Sequence, residues 1–191
     1  MTSLRRITIE GRGAARFLSW LCAKNVDRAV GSVTYTLMLD ETGGITSDVT
    51  VSRLADNRFL MGGNSQRDYY RLLRLAAGLD VRIADVTDAT CSVAVWGPAA
   101  RELLAPIMDT DTSNDGFAYL TSREVAVAGV ATTAIRVSYV GELGWEIYVP
   151  TEFAAGVFDV LQDAGSDFGM KLAGYHALDS LRMEKAYRHW G

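Results

Sequence analysis

The sequence predicts an α+β fold of mixed, largely antiparallel sheets with flanking helices. Three observations predict it. Strand-like and helix-like segments follow one another in a mixed order, without the regular strand–helix alternation of a wound parallel sheet. Two strand-like runs flank an acidic, glycine-rich turn, which is a hairpin signal. The chain has 191 residues, 49% hydrophobic and 22% charged, which is enough for one large domain or two small ones with a sizeable core.

Residues 4–10, LRRITIE, alternate as a strand does, and the segment after them sets Ala14, Phe17, Leu18, Leu21 and Cys22 at helical spacing. Val33–Leu39 and Ile45–Leu54 flank DETGG, residues 40–44, a hairpin loop longer than two residues. Arg58–Met61 reads as a short third strand. Ser65 is placed to cap a helix through Ala77 that turns Tyr69, Leu72, Leu73 and Ala76 inward and stops at Gly78. In the second half, strands are expected at 80–84 and 90–96, and Gly97-Pro98 opens a helix over AARELLAPIM with proline in its first turn. Beyond a polar loop at Ser113-Asn114-Asp115-Gly116, strands are expected at 122–127, 131–139 and 145–149. Thr151 is placed to cap a helix to about Gln162 with Val157, Val160 and Leu161 on one face, and Leu178–Tyr187 forms a last helix. The chain then ends on Trp190-Gly191 without a polar tail, which reads as a fragment or one piece of something longer.

Composition sets aside several classes of function. The formal net charge is −4 with both signs interspersed, so no clustered basic face points to nucleic acid. Two arginines near the start have no apolar run behind them, and no apolar stretch approaches the ~18 residues of a membrane span. A soluble, cytoplasmic protein is expected. Cys22 and Cys91 are isolated, which argues against a disulfide framework and fits a reducing compartment. His176 and His189 lie thirteen residues apart with no cysteine at ligand spacing, so no metal site is expected, and no G-x-S-x-G elbow is present. Gly11-Arg12-Gly13-Ala14-Ala15-Arg16 has the context of a dinucleotide fingerprint, with Asp27 as a ribose partner. Arg16, however, puts a bulky charge where helix must pack on sheet, and a hairpin follows instead of a βαβ unit; an ordinary strand-to-helix turn is the stronger reading.

Two carboxylates stand against local propensity. In ITSDVTVSRL, Asp48 alternates with Ser47 and Val49 and shares a face with Thr46, Thr50 and Ser52, although aspartate is disfavoured in strands. A solvated strand face accounts for it, as does a rigidly held carboxylate facing a ligand. In YVGELGWEIYVP, residues 139–150, Glu146 sits between Trp145 and Ile147 and shares a face with Tyr148. An exposed cross-strand ion pair with an arginine is one reading. The other is a carboxylate that accepts two parallel N–H donors from a flat heterocycle, each bond worth on the order of 1.5–3 kcal/mol.

Taken in order, YTLMLDETGGITSDVTVSRLADNRFLMGGN, VWGPAARELL, SYVGELGWEIYVP and LDSLRMEKAYRHWG resemble the glycine cleavage T-protein (aminomethyltransferase) superfamily. The last two look most like the folate-binding region of dimethylglycine and sarcosine dehydrogenases and oxidases. The resemblance implies a T-protein-like fold that binds tetrahydrofolate. Its catalytic aspartate falls on Asp48 and the glutamate that receives the pterin ring on Glu146. The tyrosine near the folate falls on Tyr139, and two further site positions match Tyr35 and Asn64. Glu142 is expected to shape the turn. The implied reaction is one-carbon transfer: a flavin-dependent oxidoreductase domain or subunit makes an iminium from an N-methyl amine, and tetrahydrofolate captures the carbon as 5,10-methylenetetrahydrofolate. No flavin site is expected within the chain itself.

The departures from the family also carry expectations. Residues 1–85 match most of a first subdomain and 86–191 a second, while a C-terminal β-domain is lacking, so the fold is expected to be incomplete around its folate channel. Relatives carry an arginine at the position of Leu178 and commonly paired aspartates at Ser47-Asp48, which favours the dehydrogenase-like branch over lipoyl-linked glycine cleavage. A non-catalytic folate-binding or protein-interaction module of the same fold is the alternative function.

Overall fold

The computed structural model describes residues 4–190. The chain divides between Asp88 and Ala89 into two compact units, each with its own sheet and core.

The first unit contains β1 (Arg5–Glu10), α1 (Ala14–Leu21), β2 (Val33–Leu39), β3 (Ile45–Ala55), β4 (Arg58–Gly63), α2 (Gln66–Leu75) and β5 (Arg82–Asp85). Its sheet runs β2-β3-β4-β1-β5 with every neighbouring pair antiparallel. Strand alternation turns Ile7, Ile9, Met38, Val49, Val51, Phe59 and Met61 to one face, where they pack with Phe17, Leu18 and Leu21 of α1 and Leu72 of α2. Each fully buried aliphatic or aromatic side chain contributes roughly 1.5–3 kcal/mol, so this face fixes the register of β3. With Ser47, Val49 and Val51 committed to the core, Asp48 must point to the opposite face.

The hairpin between β2 and β3 is closed by its own acidic residue. Asp40 Oδ1 accepts from the Thr42 hydroxyl at 2.7 Å, the Gly44 amide at 2.8 Å and the Thr42 amide at 2.9 Å, and Gly43 takes φ +82°, a left-handed conformation that glycine adopts without strain. The Thr42 hydroxyl first, and then the two amides, hold the Asp40 carboxyl below its ordinary range. Arg71 reaches across from α2 to the Leu39 carbonyl at 2.5 Å and to Thr46 Oγ1, so the helix also secures the hairpin base. The helix buries Leu72 and Asp68, with Ala76 just past its end also buried, but Leu73 is 40% exposed, contrary to the inward position its sequence spacing suggests.

The second unit contains β6 (Thr90–Trp96), α3 (Ala100–Leu104), β7 (Ser122–Val127), β8 (Val130–Ile135), β9 (Gly144–Pro150), α4 (Ala154–Gly165) and α5 (Tyr175–Glu184). Its sheet is antiparallel in the order β6-β9-β8-β7. Trp145, Ile147 and Val149 of β9 enter a core with Val95, Leu104, Phe117, Val157 and Leu161; the Phe117 ring meets Trp145 edge-on, 6.0 Å between centroids. Gly144 admits β6 at the start of β9, because a Cβ there would lie 2.1 Å from the Val95 carbonyl oxygen.

Boundaries shift where backbone bonding, rather than hydrophobic pattern, decides them. α3 ends at Leu104, short of the AARELLAPIM span, since Pro106 has no N–H with which to continue the ladder. β8 ends at Ile135 instead of Tyr139. The chain enters α4 through a 3₁₀ turn, Thr151–Phe153, so Thr151 begins that turn and Phe153 occupies the helix N-cap. α5 begins at Tyr175, before the expected Leu178, and ends at Glu184. Among the described residues no helix is long and apolar enough to cross a membrane.

Candidate functional site

In the first unit, three residues singled out by sequence come together. Asp48 and Tyr35 lie on the same face of neighbouring strands, since Leu37 pairs with Asp48 and Tyr35 with Thr50. The Tyr35 hydroxyl donates to Asp48 Oδ2 at 2.8 Å. Asn64, immediately after β4, donates from Nδ2 to Asp48 Oδ1 at 2.5 Å and to the Asp48 carbonyl at 2.9 Å. Each carboxylate oxygen therefore holds one neutral donor, and no ion pair engages Asp48 among the described residues. Such a carboxylate keeps free lone pairs in a fixed direction, suited to accepting a proton or facing a developing positive charge.

Two residues of this network escaped the sequence reading. Ser47 Oγ accepts from Asn64 Nδ2 at 3.2 Å and donates to Asp68 Oδ2 at 3.1 Å. Asp68 Oδ2 also accepts the backbone amides of Asn64 at 2.9 Å and Ser65 at 3.0 Å, forming a capping box at the start of α2. The spacing Ser65-x-x-Asp68 was the available signal; it marks a helix start and says nothing of Asp48.

In the second unit, Glu146 occupies the face of β9 opposite Trp145 and Ile147, together with Tyr148. Tyr148 Oη donates to Glu146 Oε2 at 2.9 Å. No lysine or arginine pairs with Glu146 among the described residues, so the cross-strand ion pair that its exposure pattern allowed is not formed. Burial pushes its carboxyl above the ordinary value, and the Tyr148 hydroxyl offsets only part of that. Among the described residues this carboxylate has one neutral donor, which leaves it acceptor capacity for N–H groups.

Tyr139 is held differently. Its hydroxyl donates to the Arg188 carbonyl at 2.9 Å, and its ring stacks on Tyr187 at 6.4 Å between centroids. Glu142 pairs with Lys185 at 3.2 Å, and its amide donates to Ser138 Oγ at 3.2 Å, so it does shape the turn, with the end of α5 as the second support.

Comparison with known proteins places this geometry. The family described as the GCVT N-terminal domain matches residues 1–191. The chain belongs to this family. It is 38% identical over 194 residues to a 4-methylaminobutanoate oxidase (formaldehyde-forming) of Paenarthrobacter nicotinovorans, covering 100% of this chain and 24% of that protein. It is 35% identical over 208 residues to the mitochondrial sarcosine dehydrogenase of Mus musculus, covering 100% of this chain and 23% of that one. The fold matches the glycine cleavage system aminomethyltransferase T from Bartonella henselae with a TM-score of 0.82 and 27% identity, over 96% of this chain and 49% of that structure. The chain thus spans about a quarter of the length of these two curated relatives. In this GCVT N-terminal domain each unit presents, on the face of its sheet away from its core, a carboxylate with no ion pair among the described residues: Asp48 in the first and Glu146 in the second.

Proposed function

We propose that this GCVT-type domain binds tetrahydrofolate and transfers a one-carbon unit to it. The carbon comes from an iminium produced by a flavin-dependent N-methyl amine dehydrogenase, in a joined domain or a partner subunit, with sarcosine- or dimethylglycine-type amines as the source. The names of the relatives, an oxidase of a methylamino acid and a sarcosine dehydrogenase, support that class of donor. In this reading residues 1–85 and 86–191 are the first and second subdomains of the fold.

The observation that carries the proposal is the state of Glu146. Burial raises its carboxyl, and among the described residues a single hydroxyl donates to it and no ion pair engages it. A flat heterocycle with an amide N–H beside an amino group supplies the donors that this carboxylate lacks, so the residues fit a pterin. Bound tetrahydrofolate supplies a nucleophilic nitrogen for the incoming carbon. Glu146 would orient the ring, and ligand donors would favour its ionised form. Asp48, fixed by Tyr35 and Asn64, would face the positive charge of the electrophile and take up the proton released as the new carbon–nitrogen bond forms, a contribution of roughly 10²–10⁴-fold. Holding the reactants in register adds to that by proximity.

Calorimetry of this chain with tetrahydrofolate, beside Glu146→Gln and Asp48→Asn, tests the reading. Affinity weakened by ~1–3 kcal/mol in Glu146→Gln and largely spared in Asp48→Asn is the expected outcome. Binding without transfer, in the presence of an iminium source, would instead leave a folate-binding module.

A further inference from the structure

We infer that Ser47 and Asp68 are positioning residues for Asp48, acting through the side-chain amide of Asn64. Ser47 is fully buried and Asp68 is 4% exposed, so neither owes its hydrogen bonds to solvent. Ser47 has one hydroxyl proton, and its Oγ lies 3.1 Å from Asp68 Oδ2, closer than the 3.4 Å to the Asp48 carbonyl. With that proton given to a carboxylate, Oγ presents only lone pairs to Asn64 Nδ2, 3.2 Å away. The same Nδ2 faces the Asp48 carbonyl and Asp48 Oδ1. A flipped amide would turn its own oxygen toward all three of these acceptors. The orientation of Asn64 is therefore dictated, and with it the side from which Oδ1 of Asp48 is held.

Asp68 is the fixed end of this chain. Its Oδ2 collects the Asn64 and Ser65 amides at the N-terminus of α2 as well as the Ser47 hydroxyl. These donors satisfy acceptor lone pairs that burial would otherwise leave unpaired. Donation from Ser47 to the Asp68 carboxyl in turn makes Oγ a better acceptor for Asn64. The start of a helix thus sets the direction of a carboxylate on a strand. Capping alone accounts for the two amides, but not for Ser47, which lies on a different element and takes no part in the cap.

The functional consequence rests on the proposed role of Asp48, but the positioning is testable without any ligand. The experiment uses the full chain and follows solvent exchange of the Asn64 side-chain amide by ¹⁵N NMR. Ser47→Ala, which leaves the capping box intact, should speed that exchange about fivefold or more, the loss of one ordinary buried hydrogen bond. Backbone protection at Asn64 and Ser65 should stay within about twofold, and Ser47→Thr, which restores the hydroxyl, should return the side-chain rate to near wild type. Asp68→Asn is the second variant and should also speed the exchange. In the transfer assay, Ser47→Ala should slow turnover about fivefold while leaving tetrahydrofolate affinity within about twofold. An Asn64 amide that exchanges at the wild-type rate in both Ser47→Ala and Asp68→Asn overturns the inference. A wild-type chain that binds no tetrahydrofolate removes the transfer reading, and the amide rates still decide whether Ser47 and Asp68 hold Asp48.

Discussion

Asp48 and Glu146 are both carboxylates on the interior of β-strands, a place where propensity disfavours acids, yet their surroundings are opposite. Asp48 has a donor on each oxygen, one from β2 and one from the residue after β4. Among the described residues Glu146 has one donor, from its own strand, and burial pushes it toward its neutral form. The difference separates two ways of using a charge. A carboxylate whose direction is fixed and whose donors are neutral is arranged to act on something. A carboxylate that the fold leaves short of donors is arranged to receive them.

The comparison breaks most readily at Asp48. Asp48→Asn keeps the shape and removes the charge, so transfer should fall roughly 10²–10⁴-fold while tetrahydrofolate affinity changes little. A turnover assay against an iminium source, read beside calorimetry, checks this. If affinity fell as far as rate, Asp48 would be a binding group like Glu146 and the contrast would vanish.

Glu146→Gln comes next, and it should move stability and affinity in opposite directions. The folded carboxyl titrates above its ordinary 4.5, so its stability contribution is fully present below that value and is lost as pH rises through the folded value. At neutral pH the neutral glutamine should therefore give the higher melting temperature, and the advantage should disappear below about pH 4.5. Affinity for tetrahydrofolate should drop by ~1–3 kcal/mol at neutral pH. Wild-type affinity should also fall as the solution is acidified through the raised value, a dependence the variant lacks. A variant less stable than wild type at neutral pH would show that the native carboxylate is satisfied after all.

Tyr148→Phe sharpens the same point with a smaller effect. It takes from Glu146 the hydroxyl that favours its charged form, at a cost of ~0.5–1.5 kcal/mol. The pH at which tetrahydrofolate affinity begins to fall should move upward, the direction opposite to that of any variant adding a donor.

These contrasts were half legible in the sequence. Alternation in ITSDVTVSRL and WEIYV put Asp48 and Glu146 on faces away from the cores and placed Tyr148 beside Glu146, because period-two patterning is local. What lies across the sheet was not legible. β1 is inserted between β4 and β5, and the β2–β3 register sets Tyr35 diagonal to Asp48; both depend on long-range pairing. The network through Ser47 and Asp68 was hidden for the same reason: a serine in a strand and an aspartate at the third position of a helix look independent until tertiary structure joins them. Leu73 misled because a periodic apolar residue at the edge of a helix face is decided by what packs there.

Glu142 is the exposed, ion-paired counterpart of Glu146, and its substitution should have the smallest effect. It lies four residues before Glu146, in the turn that includes Tyr139, and it is ion-paired to Lys185 at 3.2 Å with the two side chains 41% and 43% exposed. An exposed pair of this kind is worth ~0.2–1 kcal/mol and is screened by salt. The turn has other supports: the Tyr139 hydroxyl on the Arg188 carbonyl, the Tyr139–Tyr187 stack, and Gly141, where a Cβ would lie 2.7 Å from Lys185 Cγ. Glu142→Gln should therefore destabilise the chain by less than ~1 kcal/mol, with the difference fading in concentrated salt, and should leave tetrahydrofolate affinity near wild type. Thermal melts at low and high salt, with calorimetry at each, measure both. An affinity loss matching that of Glu146→Gln would make the turn, rather than the strand face, the receiver of the ligand, and the short supply of donors around Glu146 would then need another cause.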